Sequence, residues 1–149
     1  MDETTRYYRQ FASEFFDSTV AVDMSPIRGR FAAMLMAGAR VLDAGCGSGR
    51  DAKAFAEQGF RVSAFDASPE LAERASSHCG FTVDVRTFQD VDEVRAYDGI
   101  WCCASLLHVE PSEMPKVLAR LWTALAPAGV LYASFKSGSG TRLHGGRRF

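Results

Sequence analysis

The stretch "VLDAGCGSGRDA" (residues 41–52) is an apolar run that reaches an acid at Asp43 and then turns through glycines at positions 45, 47 and 49. Three glycines at alternate positions after a buried strand are more than a turn requires. The stretch therefore predicts a strand whose carboxyl end carries a ligand-binding loop, followed by a helix.

Glycine loops of this kind bind three classes of ligand, and the spacing of the glycines separates them. A triphosphate-binding loop, G-x-x-x-x-G-K-[ST], needs glycine where Arg50 stands and a lysine after it, so that class is excluded. The dinucleotide fingerprint, G-x-G-x-x-G, also needs glycine at position 50, where helix and strand pack closely. Arg50 therefore weakens a nicotinamide-dinucleotide interpretation without excluding it.

The third pattern, acid-x-G-x-G-x-G, is complete at Asp43, Gly45, Gly47 and Gly49. Glycines without a Cβ let the backbone approach a ligand closely, and an acid nearby suits a ligand that carries positive charge. Asp66 ends the next apolar run, where a carboxylate can accept hydrogen bonds from the hydroxyls of a ribose. The alternative role for Asp66 is to cap the following helix.

Apolar runs alternate with helix-like periodicity along the chain, which predicts an α/β fold. Strands joined by helical crossovers cannot pair as hairpins, so we expect a Rossmann-like, doubly wound and mainly parallel sheet of about five strands. Helices are expected on both faces, and an aromatic stripe predicts an N-terminal helical segment before the sheet. The predicted strands are residues 40–44, 61–65, 81–86, 99–104 and 130–135.

Capping residues and glycines mark the helices that connect these strands. The helices are predicted to begin at Ser25, Asp51, Ser68 and Ser112, and the first three to end at Gly38, Gly59 and Gly80. Three-and-four spacing in the last helix predicts a buried face. That face would consist of Met114, Val117, Leu118, Leu121, Trp122 and Leu125.

Length and composition bound the remaining classes of protein. The 149 residues carry a net charge of −1 and are 47% hydrophobic, which predicts one soluble domain without an electrostatic footprint for nucleic acid. The basic tail at 142–149 is expected to be solvated. No run of about 18 apolar residues predicts a membrane span, and residues 1–10 lack a targeting pattern, so we expect a cytoplasmic location. The four cysteines lack metal-binding or disulfide spacing, so no metal is expected.

In its glycine loop and in the position of Asp66, the sequence resembles the class I methyltransferases that use S-adenosylmethionine. Further stretches resemble a bacterial group related to tellurite-resistance methyltransferases and to type 11 and type 12 methyltransferase domains. These stretches are "RYYRQFASEFFDSTVAVDMS" (6–25), "DGIWCCASLLHV" (98–109), "LAPAGVLYASFK" (125–136) and "GGRRF" (145–149). The resemblance thus covers nearly the whole chain. It divides residues 1–149 into a helical cap (1–38), a cofactor-binding core (39–136) and a tail (137–149).

The resemblance implies S-adenosylmethionine as cofactor, S-adenosylhomocysteine as product and a small-molecule methyl acceptor. The implied cofactor-binding residues are Asp43, Gly45, Cys46, Gly47, Gly49, Asp66, Ala67, Ser68, Phe88, Gln89, Ala104 and Ser105. His108 is the candidate general base, with a structural role as its alternative. Tyr8 and Arg50 are assigned to the substrate side; alternatively, Tyr8 only packs the N-terminal helix and Arg50 pairs with Asp51 or Glu57.

The sequence departs from this group in two places. The group normally continues beyond the fifth strand, whereas this sequence stops at Phe149, so "VLYASF" (130–135) is expected to be an apolar edge that pairs with a second chain, or else to belong to a truncated product with impaired activity. Ala128 stands where the group tends to have a second glycine, which affects the turn into the fifth strand. Two other classes stay open: a non-catalytic interaction module of the same fold, and a nicotinamide-dependent oxidoreductase.

Overall fold

The structure is a computed structural model of the chain. It describes residues 23–135, the separate positions 12, 16, 19 and 20, and two short strands at 143–144 and 147–148. Tyr7, Tyr8, Phe11 and Phe15 of the predicted N-terminal stripe lie outside the described residues. Positions 12, 16 and 19 are helical, and Ala12 and Phe16 pack against Leu71.

A five-stranded parallel sheet organises the described core, with the spatial order β3-β2-β1-β4-β5. The strands are β1 (Arg40–Ala44), β2 (Arg61–Asp66), β3 (Asp84–Val85), β4 (Tyr97–Cys102) and β5 (Leu125–Ala133). The chain runs outward from β1 to β3 and then returns to place β4 on the other side of β1. The predicted Rossmann-like fold is therefore confirmed, and the switch point of the sheet lies between the carboxyl ends of β1 and β4.

Among residues 23–135, one α-helix precedes the sheet, and three α-helices and two 3-10 turns connect its strands. The helices are α1 (Ser25–Ala32), α2 (Arg50–Glu57), α3 (Pro69–Cys79) and α4 (Met114–Ala124), and the turns are Phe88–Asp90 and Leu106–His108. Among the predicted caps, Ser68 accepts a hydrogen bond from the Leu71 N–H at 3.2 Å, and Gly80 ends α3 with φ of 82°. Beyond the sheet, β6 (Leu143–His144) pairs antiparallel with β7 (Arg147–Arg148).

The core lies on both faces of the sheet. On one face, Val117 and Leu121 of α4 join a buried cluster with Leu42 and Ile100. On the other face, Trp101 is fully buried; its ring centroid lies 5.2 Å from those of Phe31 and Phe55 and is stacked 4.2 Å from that of Tyr132. These contacts fix β1 and β4, the two strands that border the switch point.

Several element boundaries differ from the sequence predictions; the fifth strand, predicted at 130–135, spans Leu125–Ala133. The third strand was expected at 81–86, but only Asp84 and Val85 pair, because the Val83 N–H donates to the Ser76 hydroxyl instead of to β2. Helix α1 ends at Ala32, well before Gly38. The fourth strand ends at Cys102, because Ala104 takes a φ of 49° that turns the chain out of the sheet.

The buried face predicted for the last helix is partly wrong. Helix α4 begins at Met114, after Ser112, and buries Val117, Leu121 and Ala124. Leu118 and Trp122 occupy the neighbouring stripe and are 42% and 78% exposed. The predicted set combined two adjacent stripes of the helix, and only one of them faces the sheet.

Ala128 lies inside β5, in the stretch where the pairing register with β4 shifts. Ala128 has a φ of 63°, in the left-handed region, and follows Pro127. Glycine adopts a positive φ without strain, whereas a residue with a Cβ does so at a cost. Alanine therefore occupies a strained position in this irregular stretch of β5.

Candidate functional site

The glycine loop folds back onto the end of β2. The N–H groups of Gly45 and Cys46 both donate to the carbonyl of Phe65, at 3.0 and 2.9 Å, and the Gly47 N–H donates to Asp66 Oδ2 at 2.9 Å. The loop therefore lies across the carboxyl ends of β1 and β2, next to the switch point of the sheet.

Two of the glycines are required by both backbone conformation and space. Gly45 and Gly49 have φ of 72° and 82°. A Cβ at Gly45 would lie 2.7 Å from the Ser105 Cβ, and one at Gly49 would lie 2.8 Å from the Cys79 Sγ. Any side chain at these positions would displace the loop.

Asp66 holds the loop and the start of α3 together. The side chain is buried, and its Oδ2 accepts from Gly47 while its Oδ1 accepts from the Ser68 N–H at 2.9 Å. The N-cap of this helix is Ser68, so the helix is capped by the neighbour of Asp66 and not by Asp66. Ala67 lies between them, half-buried.

Asp43 is a buried carboxyl group beneath the glycine loop. It is 2% exposed, and Oδ2 has no hydrogen-bond partner among the residues that the structure describes. Burial, together with the carboxylates of Asp51 and Asp66, raises the pKa of Asp43 well above its ordinary value, against the opposing charge of Arg50. A cationic group brought to this position would relieve an electrostatic cost that the protein already bears.

The turn after β4 closes the other side of the loop. Ser105 is buried and its hydroxyl donates to the Ala44 carbonyl at 2.8 Å. The Ala104 N–H donates to the Ser134 hydroxyl at 2.8 Å, and Ala104 has the φ of 49° noted above. A non-glycine residue in this conformation carries strain, and such strain is concentrated at functional sites.

The Phe88–Asp90 turn forms the wall beyond Asp66. Thr87 and Asp90 form a reciprocal capping box that fixes the turn. The Phe88 ring packs edge-on against Phe65 with centroids 5.5 Å apart, and Gln89 is exposed. The two residues predicted to contact adenine thus have different environments: Phe88 packs below the loop, and Gln89 faces outward.

Arg50 makes the ion pair that was one of its two predicted alternatives. Its guanidinium donates to both Asp51 oxygens, at 3.0 and 2.9 Å, and to the Thr19 carbonyl at 3.2 Å. Asp51 is buried and also accepts from Arg28 at 2.7 Å and from the Trp101 indole at 3.0 Å. Burial opposes ionisation, but the hydrogen bonds and charge of Arg50 lower the pKa of Asp51.

This buried network was only partly visible in the sequence. The contact between Arg50 and Asp51 is local, but Arg28 lies 23 residues and Trp101 lies 50 residues from Asp51. No sequence spacing identifies such distant partners. A contact between Arg50 and substrate stays a prediction.

The remaining predicted residues lie at the rim of the site or outside the described residues. His108 is half-buried in the Leu106–His108 turn, and its N–H donates to the Ser105 carbonyl at 3.2 Å. Cys46 is in the loop itself, and burial, followed by the charge of Asp43, raises the pKa of its thiol. Tyr8 is among the residues that the structure does not describe. The roles of all three stay predictions.

In the part of the chain that the structure describes, no helix is long and apolar enough to cross a membrane. Within the same residues, no group of three or more His, Cys, Asp or Glu side chains is arranged to hold a metal ion.

Comparison with known proteins identifies the family. A sequence profile of the methyltransferase domain family matches residues 41–129, from β1 into β5. The chain belongs to this family. The matched region of the methyltransferase domain contains the glycine loop, Asp66, the Phe88–Asp90 turn and the turn after β4.

Named relatives of this methyltransferase domain include two bacterial proteins. Ubiquinone biosynthesis O-methyltransferase of Xylella fastidiosa is 39% identical over 108 residues, which are 66% of this chain and 42% of that protein. The protein of the same name from Xanthomonas axonopodis pv. citri is 35% identical over 122 residues, 74% of this chain and 49% of that protein. The chain therefore spans less than half the length of these relatives.

Solved structures give the same family. Burkholderia thailandensis 1,6-didemethyltoxoflavin-N1-methyltransferase, solved with 1,6-didemethyltoxoflavin and S-adenosylhomocysteine, has a TM-score of 0.72 and 32% identity, over 97% of this chain and 69% of that one. Magnesium protoporphyrin IX methyltransferase from Synechocystis, solved with S-adenosylmethionine, has a TM-score of 0.69 and 16% identity, over 84% and 73%. At the lower identity the likeness shows the fold alone.

Proposed function

We propose that this domain binds S-adenosylmethionine and transfers its methyl group to a small-molecule acceptor. One observation carries the proposal: the glycine loop lies at the switch point between two buried acids, Asp43 and Asp66, and Asp43 Oδ2 has no hydrogen-bond partner among the described residues. The ligand of such a site needs a cationic group and a group that donates hydrogen bonds. The ammonium and the ribose of S-adenosylmethionine meet both requirements.

Each part of the site has a proposed role that its position supports. Asp43 and the loop would bind the methionine end, with Ala104 and Ser105 beside it. Asp66 would accept hydrogen bonds from the ribose hydroxyls, and Ala67, Ser68, Phe88 and Gln89 would border the adenine. When bound, the cofactor supplies an activated methyl group on a good leaving group.

The protein then has to position the acceptor, exclude water and remove a proton where the acceptor requires it. His108 follows β4 beside Ser105, and an imidazole can act as a general base. We assign His108 to proton removal, and Tyr8 and Arg50 to the acceptor side. The names of the ubiquinone biosynthesis and didemethyltoxoflavin enzymes support a small-molecule acceptor.

A calorimetric titration with S-adenosylhomocysteine, with NAD as the comparison ligand, tests the proposal. We expect saturable binding of S-adenosylhomocysteine and none of NAD. NAD is the comparison ligand because it also carries a ribose whose hydroxyls can donate hydrogen bonds to Asp66. Binding of NAD alone would favour the oxidoreductase interpretation. Absence of binding to a folded chain would favour the non-catalytic interaction module.

We also propose that the edge of β5 pairs with a second copy of the chain. Among the described strands β5 pairs only with β4, and Leu131 and Phe135 are 38% and 56% exposed beside it. An open apolar edge is a template for pairing with another strand. Light scattering after size exclusion is expected to give twice the monomer mass, and a monomer at high concentration would contradict this proposal.

The bacterial origin of the relatives supports a bacterial source for this chain. A cytoplasmic location and the division into residues 1–38, 39–136 and 137–149 stay predictions.

A further inference from the structure

Arg86, directly after β3, closes the base of the Phe88–Asp90 wall. Its guanidinium donates to both oxygens of Glu93, at 3.0 and 2.9 Å, and to the Asp90 carbonyl at 2.9 Å. A planar guanidinium that meets a carboxylate through two parallel hydrogen bonds is both strong and directional. One side chain thus ties the two ends of the segment 87–93 together.

The same residue joins this wall to the strand that carries Asp66. The Arg86 N–H donates to the Asp66 carbonyl at 3.1 Å, and the guanidinium carbon lies 5.6 Å from the centroid of the Phe65 ring. Phe65 in turn packs against Phe88. The position of the wall relative to Asp66 therefore depends on Arg86 through both its backbone and its side chain.

A second strand supports the arrangement from the other side. The Tyr97 hydroxyl, from β4, donates to the same Glu93 carboxylate. Burial, followed by the hydrogen bond to Glu93, raises the pKa of Tyr97 to about 12, so the phenol stays a neutral donor at physiological pH. Glu93 is thereby held between Arg86 and Tyr97, and the wall is fixed at both ends.

We propose that Arg86 is a positioning residue for base recognition. It holds the Phe88–Asp90 turn at the distance from Asp66 at which this turn distinguishes adenine from other bases. This inference rests on the proposed function, since it requires a nucleoside ligand with its ribose at Asp66. Arg86 does not itself contact the ligand in this scheme; it acts through Phe88 and Gln89.

The chain offers a matched control. Arg40 makes the same kind of pair with Asp98, at 3.2 Å for both side-chain contacts, but at the amino ends of β1 and β4. That pair lies at the opposite end of the sheet from the glycine loop. Arg40→Met and Arg86→Met therefore remove the same type of interaction at two different distances from the site.

The test compares S-adenosylhomocysteine with S-inosylhomocysteine, which differ only in the base. We expect wild type and Arg40→Met to prefer the adenine ligand to the same degree. In Arg86→Met, affinity for the adenine ligand falls about tenfold, a size typical of a misplaced binding group, and the preference shrinks with it. Thermal unfolding of each variant separates this change from loss of folded protein, because a purely structural defect lowers both affinities alike.

An unchanged ratio of the two affinities in folded Arg86→Met overturns the inference while the proposed function stands. Failure of wild type to bind either ligand overturns both. Where Arg86→Met does not fold, Glu93→Gln takes its place, since it keeps the shape and the contact with Tyr97 but removes the charge. It is expected to lower the ratio in the same direction by a smaller factor, and no decrease would overturn the inference.

Discussion

Replacing Asp66 with Ala is expected to abolish binding of S-adenosylhomocysteine, with a loss of at least about 100-fold in affinity. The carboxylate accepts from the N–H groups of Gly47 and Ser68, and in the proposed function also from the ribose. Its removal leaves two backbone donors unpaired and takes the ribose acceptor away in the same step. Titration calorimetry measures the loss directly.

Two further variants show which part of Asp66 matters. Asp66→Asn retains one acceptor oxygen and the shape of the side chain, so we expect an intermediate affinity. Asp84→Ala removes an exposed acid from the adjacent strand β3, whose Asp84 is the pairing neighbour of Phe65, and should bind like wild type. Wild-type affinity in a folded Asp66→Ala variant would contradict the assignment of Asp66 to the cofactor.

The centre of the fold could be predicted from the sequence because its signals are local. The strand β1, the loop after it and the acid that ends β2 are contiguous patterns in which each residue type has a direct steric or electrostatic reason. Helix α3 was equally clear, since Ser68, Pro69 and Gly80 mark both of its ends. In these segments local preference and tertiary structure agree, so a single sequence is enough.

Edges and helix faces were less predictable because they depend on partners that are distant in the chain. The length of β3 was set by Ser76, whose hydroxyl captures the Val83 N–H. Periodicity also indicated that α4 is amphipathic, but both Val117 and Leu118 fit an apolar stripe. Which stripe faces the sheet is decided by packing against β4 and β5, which no local pattern contains.

The site could be predicted as a set of residues but not as a network. The sequence brought Asp43, Asp66 and the glycines to one end of the sheet, as the structure does. It did not indicate that Arg28 and Trp101 share Asp51, or that Arg86 ties the 87–93 segment through Glu93. These partners position the predicted residues, and their identities depend on the three-dimensional arrangement of five strands.

Replacing Asp43 with Asn is expected to stabilise the ligand-free protein and at the same time weaken binding. The buried carboxyl has a raised pKa, so folding favours its protonated form. In wild type the protonated Asp43 carboxyl does not destabilise the fold below the pKa of about 3.8 that it has in the unfolded chain. As the pH rises from there to the pKa of Asp43 in the folded protein, the free energy of unfolding falls by up to about 1.4 kcal/mol per pH unit. Asparagine does not ionise, so the variant escapes that loss.

The stability difference between Asp43→Asn and wild type should therefore grow with pH above about 4 and become level beyond the folded pKa. Chemical denaturation across this range measures it, with Asp84→Asn as the exposed-acid control. S-adenosylhomocysteine should bind Asp43→Asn at least about tenfold more weakly, because the charge facing its ammonium is gone. A pH-independent stability difference would contradict the burial argument, whereas unchanged affinity would contradict the assignment of Asp43 to the methionine end. Opposite effects on stability and binding would show that the buried Asp43 carboxyl is kept for its ligand rather than for the fold.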